Sequence, residues 1–277
     1  MATRFSMPAA VTALLLLAAG TNADVIYVDA DATGADDGTS WTHAFVNLQS
    51  ALASADSSDE VWVAQGTYVP GDSADRLASF ELRSGLAIYG GFAGTETLRE
   101  QRDVQANQVI LSGDIGVPLD SADNSYHVVG AENVDSTAML DGFLIEGGNA
   151  NLAGPEAFGG GICIYQGNPT LANLVFSANS SRHNGGGMYG YSSSPTLTNV
   201  IFRNNSALDD GGGICSEYGD PLLTNVLFED NTADQGGGMY SYFGRPELVN
   251  ATFHDNFATH GGGGGLYGML DEPTLFG

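Results

Sequence analysis

The sequence predicts an all-β solenoid, a coil of short parallel strands closed at its N-terminal end by one short helix. Three observations carry that reading. Gly triplets recur at 159–161, 185–187, 211–213, 236–238 and 263–265. Between them the same residues return in order: Pro169, Pro195, Pro221, Pro246 and Pro273, then Leu171, Leu197, Leu223, Leu248 and Leu275. Asn173, Asn199, Asn225 and Asn250 follow, then Phe176, Phe202, Phe228 and Phe253, then Asn179, Asn205, Asn231 and Asn256. A fixed period of this size is the signature of a stacked-repeat architecture. The apolar runs inside each period, such as Val200-Ile201-Phe202, are too short for helices.

From the N-terminus, Arg4, the apolar run from Val11 to Ala19 and the small residues Thr21-Asn22-Ala23 form a secretory signal pattern, with cleavage expected near Ala23. Val25 to Val28 reads as a strand and the Asp- and Gly-rich Asp29 to Thr39 as a loop. Phe45, Leu48 and Leu52, with Ala44, Ala51 and Ala55, fall at helical spacing, with Thr42 or Ser40 as N-cap. This helix is the expected lid over an open apolar end. Val61 to Ala64 is a second strand, ended at Gly66-Thr67-Tyr68. Strand-length runs follow at Phe80–Leu82, Leu86–Tyr89, Val109–Leu111, Tyr126–Val129 and Leu140–Ile145. Ala138–Ala150 lies over Pro195–Ala207 without a gap, so the repeat starts before its Gly triplets do. The expected organisation is a signal at 1–23, cap and first strands at 24–79, irregular turns at 80–158 and regular repeats at 159–277, where the last copy stops in mid-turn as in a fragment.

Within the coil, equivalent residues stack about 4.8 Å apart. Leu197, Val200, Phe202 and Met188 are expected inside, with Leu223, Val226, Phe228 and Ile214 one turn on. The Asn columns suit corners, because Asn tolerates left-handed backbone and its amide bonds its neighbours above and below. The Gly triplets permit close backbone approach. All of these columns are scaffold, and function is expected in the positions between them.

The Gly-Gly-Gly-Ile and Gly-Gly-Gly-Met segments, with Phe-x-x-Asn at 176–179, 202–205, 228–231 and 253–256, resemble polymorphic outer membrane protein repeats. Ile26-Tyr27-Val28-Asp29 and Gly66-Thr67-Tyr68 resemble the start of pectin-lyase-like secreted proteins. The resemblance implies a right-handed parallel β-helix, export and a cell-surface or outer-membrane location. It also implies adhesion in some relatives and polysaccharide cleavage in others. The reading favoured is an exported, non-enzymatic, adhesin-like envelope module whose partners are polysaccharide or surface proteins. The alternative is a lyase or hydrolase of acidic polysaccharide working with Ca²⁺.

The chain carries 33 acidic residues against 8 basic ones, all Arg, for a net charge of −25. That balance argues against nucleic acid as a partner. No segment after the signal is apolar and long enough to span a bilayer. Four aspartates are candidate Ca²⁺ ligands: Asp230 with Asp255, and Asp209 with Asp234, each pair stacked one turn apart where two carboxylates repel unless a cation lies between them. Arg203, Glu229 and His254 share an outward column. The lyase alternative makes Arg203 a base beside a cation at Asp230, with His254 adjacent. However, the Arg-x-Pro-x-x-Arg segment of pectate lyases and the Gly-His-Gly of polygalacturonases are missing. Tyr189 and Tyr240, with Tyr267, and Tyr191 and Tyr242, with Tyr165, form two outward columns expected to offer a ligand surface. Val175, Ile201 and Leu227 form an outward apolar column. Cys163 and Cys215 fall two turns apart, nearly 10 Å by strand spacing, and are expected as free thiols.

Overall fold

The computed structural model describes residues 23–72, 75–269 and 273–276; of the signal expected at 1–23, all but Ala23 lies outside them. Parallel strands stack into three sheets of 13, 5 and 7 strands around one interior, in about eight turns. A regular turn runs Met188–Tyr191, Thr196–Arg203, Ser206–Ala207, one strand in each sheet. The register follows the sequence columns. Leu140, Leu171, Leu197, Leu223, Leu248 and Leu275 are successive partners, as are Ile145, Phe176, Phe202, Phe228 and Phe253. The inward residues named from the sequence are buried throughout. The rings of Phe176, Phe202, Phe228 and Phe253 stack at 4.8, 5.3 and 4.7 Å, within 10° of parallel. Stacking near the strand spacing gives the inner rings, Phe202 and Phe228, a ring neighbour on each side.

Two asparagine ladders hold the corners, and they differ. Asn173, Asn199, Asn225 and Asn250 sit in left-handed backbone at φ 50–56°. Each Nδ2 donates toward the N-terminus, to the Oδ1 one turn back (3.1, 3.0 and 2.8 Å). The series ends where Asn173 donates to Asp141 at 2.7 Å, whose other oxygen pairs with Arg102 at 2.5 Å. Gly142, at φ 93°, occupies the same corner one turn earlier. It splits the run expected at 140–145 into Met139–Asp141 and Leu144–Glu146.

The second ladder corrects the expectation that both Asn columns supply left-handed corners. Asn179, Asn205 and Asn231 are buried. The left-handed residue is the one before each: Ala178, Asn204 and Asp230, with Asp255 before Asn256. Each Asn side chain points into the coil. Asn205 Nδ2 donates to Phe176 O (3.0 Å) and to Asn231 Oδ1 (3.0 Å), and its Oδ1 accepts from the backbone and side chain of Asn179 (both 3.1 Å). This ladder runs toward the C-terminus, opposite to the exposed one. Every polar atom of a buried amide is thereby satisfied, which burial requires.

The N-terminal lid is present but shorter than expected. Ser40 caps only a 3₁₀ turn at Trp41–His43. Phe45 is extended beside Val28, not helical. The α-helix is Leu48–Ser54, capped by Asn47, whose side chain accepts from Gln49 N at 2.7 Å. Leu48, Ala51 and Leu52 enter the core, and the Arg83 guanidinium donates to the Leu52 and Ala55 carbonyls at the helix C-terminus. The strand expected at Tyr126–Val129 lies at Val129–Glu132. Only Val129 and Ala131 need point inward, and Gly130 leaves its outer side to the Glu81 carboxylate.

Candidate functional site

The seven-stranded sheet carries the aromatic columns on its outer face. Its register places Cys163, Tyr189, Cys215, Tyr240 and Tyr267 in one row and Tyr165, Tyr191, Glu217, Tyr242 and Met269 in the next. Alternation along each strand sends both rows outward while Ile162, Met188, Ile214 and Met239 fill the core.

The two rows have different fates. Tyr189 and Tyr240 are only 8% and 6% exposed, and with Cys215 they form an apolar cluster of their own outside the coil. Their rings pack with the small Cys215 between them, and Phe158 closes one end at 4.7 Å from Tyr189. Burial raises both phenols above their ordinary range, and burial likewise pushes the Cys163 thiol up to about 12, helped by Glu81, Glu132 and Glu156. Cys163 and Cys215 are free, with Tyr189 between them. Tyr189 and Tyr240 therefore support the face and do not present rings to a ligand.

The outer row is different. Tyr165 and Tyr191 stack at 5.2 Å and 5°. Tyr191 meets the edge of Tyr218 at 5.6 Å; Tyr218 meets Tyr242 at 5.5 Å and stacks on Phe243 at 5.6 Å and 6°. Tyr165, Tyr218 and Phe243 are 44%, 46% and 48% exposed. The sequence columns missed Tyr218 and Phe243 because they sit at the corner just after the strand, at φ 56° and 51°. The signal was available, since Gln166, Ser192, Tyr218 and Phe243 recur at the residue after each strand. At the head of the row a cavity of about 460 Å³ opens beside Tyr165, lined by Glu81, His127, Gly130, Glu132 and Cys163. Burial lowers the His127 pKa, which leaves the imidazole neutral with Nδ1 3.0 Å from Gly159 O.

Acidic groups border the face. Glu217 accepts from Asn184 Nδ2 at 2.9 Å, and the Asn184 Oδ1 accepts from Asp210 N at 3.1 Å. Burial, then the charges of Asp209, Asp234 and Glu217, raises the Asp210 carboxyl to about 6.

The other candidates lie elsewhere and make separate pairs. Ser177, Arg203, Glu229 and His254 are successive partners at the C-terminal ends of strands in the largest sheet. Arg203 Nε reaches Ser177 Oγ at 3.4 Å, while His254 lies 3.6 Å from Glu229 and 3.5 Å from Asp255. Asp230 and Asp255 are left-handed corner residues. Asp209 and Asp234 are stacked as expected, yet each is held by its own imidazole: His183 to Asp209 at 2.6 Å, and His260 to Asp234. The Thr259 hydroxyl, then His260, holds the Asp234 carboxyl below its usual range. Among the described residues no three His, Cys, Asp or Glu side chains gather as a metal-binding group. Val175 and Ile201 are half-buried beside the 103–108 loop, lining with Val104 and Asn173 a groove of about 300 Å³.

Parallel register, inward Leu and Phe columns and Asn corners define a β-helix scaffold. The chain belongs to the right-handed β-helix family: the family description "Right handed beta helix region" matches residues 122–272, more than half of it. No curated protein matches. Among solved structures the chain is similar to a rhamnogalacturonan lyase at 12% identity and a TM-score of 0.41. The match covers 92% of this chain and 62% of the lyase, so the chain spans less than two thirds of that structure's length.

Proposed function

We propose that this chain is the ligand-binding β-helix of an exported, adhesin-like cell-surface protein, and that it holds an elongated, uncharged glycan along Tyr165, Tyr191, Tyr218, Tyr242 and Phe243. The observation that carries the reading is the continuous, partly exposed aromatic row along the coil axis. Rings on a rigid sheet offer large contact area with little rotamer entropy to lose, and tyrosine hydroxyls add hydrogen bonds at the rim. Glu81, Glu132 and Glu217 beside the row, on a chain of net charge −25, repel an acidic polymer. Affinity electrophoresis through gels containing single polysaccharides tests the proposal. Retardation by a neutral polymer, lost in Tyr191→Ala and Tyr218→Ala but kept in Tyr27→Ala at the far end of the coil, is expected. Equal mobility of all variants in every gel would refute it.

A second reading, a carbohydrate-active enzyme, is favoured by Asp210. A carboxyl that keeps its proton to about pH 6 suits general-acid work, and Asn184 links Asp210 to Glu217, a second carboxylate on this face. Release of reducing ends from neutral or uronate polymers, with and without Ca²⁺, abolished by Asp210→Asn, would establish it. No product from any polymer would dismiss it.

A further inference from the structure

We propose a Ca²⁺ site in the loop 113–125, built from Asp114, Asp123, Asn124 and Ser125. This loop joins the strand Val109–Ser112 to the segment leading into Val129–Glu132. Its neck is closed by Ser125 N donating to Gly113 O at 2.8 Å, which sets Asp114 beside Asn124 and Ser125. Further round, Val117 N donates to Asp123 Oδ2 at 2.7 Å and Leu119 N donates to Asp114 Oδ2 at 2.9 Å. Each carboxylate thus has one oxygen fixed by loop backbone. A Cβ on Gly116 would collide with the Asp123 carboxylate, so the chain wraps it closely.

The remaining oxygens are the reason to infer an ion. Asp114 Oδ1, Asp123 Oδ1, Asn124 Oδ1 and Ser125 Oγ are all buried and have no hydrogen-bond partner among the described residues. Asn124 is 7% exposed and Ser125 is fully buried. Four unpartnered oxygens from consecutive or facing positions of one closed loop are costly, since a buried acceptor left without a partner keeps its full desolvation penalty and an uncompensated carboxylate keeps more. The guanidinium of Arg76, bonded to the Asn124 carbonyl, does not relieve them. Arg76 donates to the Asn124 and Asn149 carbonyls (2.5 and 3.3 Å) and to Asn151 Oδ1 (3.0 Å), and it stacks on Tyr126. Two carboxylate oxygens, one amide oxygen and one hydroxyl form a hard, all-oxygen donor set of charge −2. Ca²⁺ takes such mixed sets in irregular geometry and completes its shell with water, whereas Mg²⁺ demands a near-octahedral arrangement. Asn124 Nδ2 donates to Gly147 O at 2.5 Å, and Asn149 N donates to Ser125 O at 2.8 Å. An ion here therefore ties the irregular early turns to the first regular one.

The test is titration of the full chain with Ca²⁺ after chelator treatment, by calorimetry and by thermal unfolding. One ion per chain and a raised Tm are expected. Asp123→Asn and Asp114→Asn should each weaken binding by more than about tenfold, the least expected even for residues that only support a metal site. Asp230→Asn combined with Asp255→Asn should bind as the parent chain does. Should the loop variants fail to fold, limited proteolysis of the parent chain reads the same point: Ca²⁺ should protect the 113–125 loop and chelator should expose it. No heat with an unchanged Tm, binding that survives both loop substitutions, or equal cleavage with and without Ca²⁺ would each overturn the proposal.

Discussion

Replacing Asn205 and Asn199 by alanine separates the two corner ladders by their energetics. Asn205 is buried and all four of its side-chain hydrogen bonds are internal. Asn205→Ala strips the acceptor from the Asn179 backbone N–H and a donor from the Phe176 carbonyl. At about 1–3 kcal/mol for each buried group left unmade, the loss is about 2–6 kcal/mol. Asn199 faces solvent, where water replaces both lost ladder bonds. Its larger contribution is conformational, because at φ 56° alanine lacks the short amide that lets Asn tolerate left-handed backbone, a loss of up to about 1–2 kcal/mol. Glycine distinguishes the two causes. Asn199→Gly should recover most of what Asn199→Ala loses, since glycine adopts left-handed backbone freely. Asn205→Gly should recover nothing, since Asn205 is not left-handed and its loss is of partners. Urea midpoints followed by far-UV circular dichroism are the assay; stacked repeats need not unfold in two states, so midpoints are compared rather than extrapolated energies. Equal losses for the two alanine variants, or rescue of position 205 by glycine, would refute the assignment.

Other outcomes follow from the same geometry. Phe202→Ala removes the middle of the ring stack and should cost about 3–5 kcal/mol, read as a lower urea midpoint. Gly186→Ala places a Cβ against the Ser206 carbonyl oxygen, a backbone atom that cannot swing away, and should abolish soluble folded protein at 37 °C. Asp210 binds its proton more tightly in the folded chain (about 6) than in the unfolded one (3.8), so its contribution is present below pH 4 and lost as pH rises to about 6. Asp210→Asn should therefore stabilise at pH 7 by about 1–2 kcal/mol, discounted for partial exposure, and change nothing at pH 3. Thiol titration of unfolded, unreduced protein should count both cysteines, as their spacing in the register requires; a count of zero would contradict that register.

The scaffold was legible because each turn writes the same requirement in the same place. A parallel register one turn apart makes Leu171, Leu197 and Leu223 chemically interchangeable, so period alone fixes which residues touch. Where one position does several jobs, period is insufficient. Both Asn columns look like corners in the sequence, yet only the one at Asn199 is left-handed, and Asp230 supplies the turn that Asn231 was expected to make. The short lid is another case. Phe45 has helical spacing, but pairing with Val28 outweighs one more turn of helix. At the candidate site the outward direction of the tyrosines was readable from alternation. What alternation does not contain is side-chain size relative to strand spacing, which buries Tyr189 and Tyr240 over their cysteine neighbours and leaves Tyr191 and Tyr242 half-exposed. The oxygens at 114 and 123–125 escaped notice because their loop lies in the turns without a clear period, and only burial without partners reveals them.

On the function proposed above, ligand recognition lies on the outer row of the seven-stranded sheet. Three strand steps separate Tyr165 from Tyr242, about 14 Å along the axis. Calorimetric titration with a size series of one neutral oligosaccharide tests this most directly. Affinity should rise with length until the oligosaccharide spans the row and then level off, and the rise should vanish in the Tyr191→Ala, Tyr218→Ala double variant. Binding that is independent of length, or that survives in the double variant, would rule out recognition by this row.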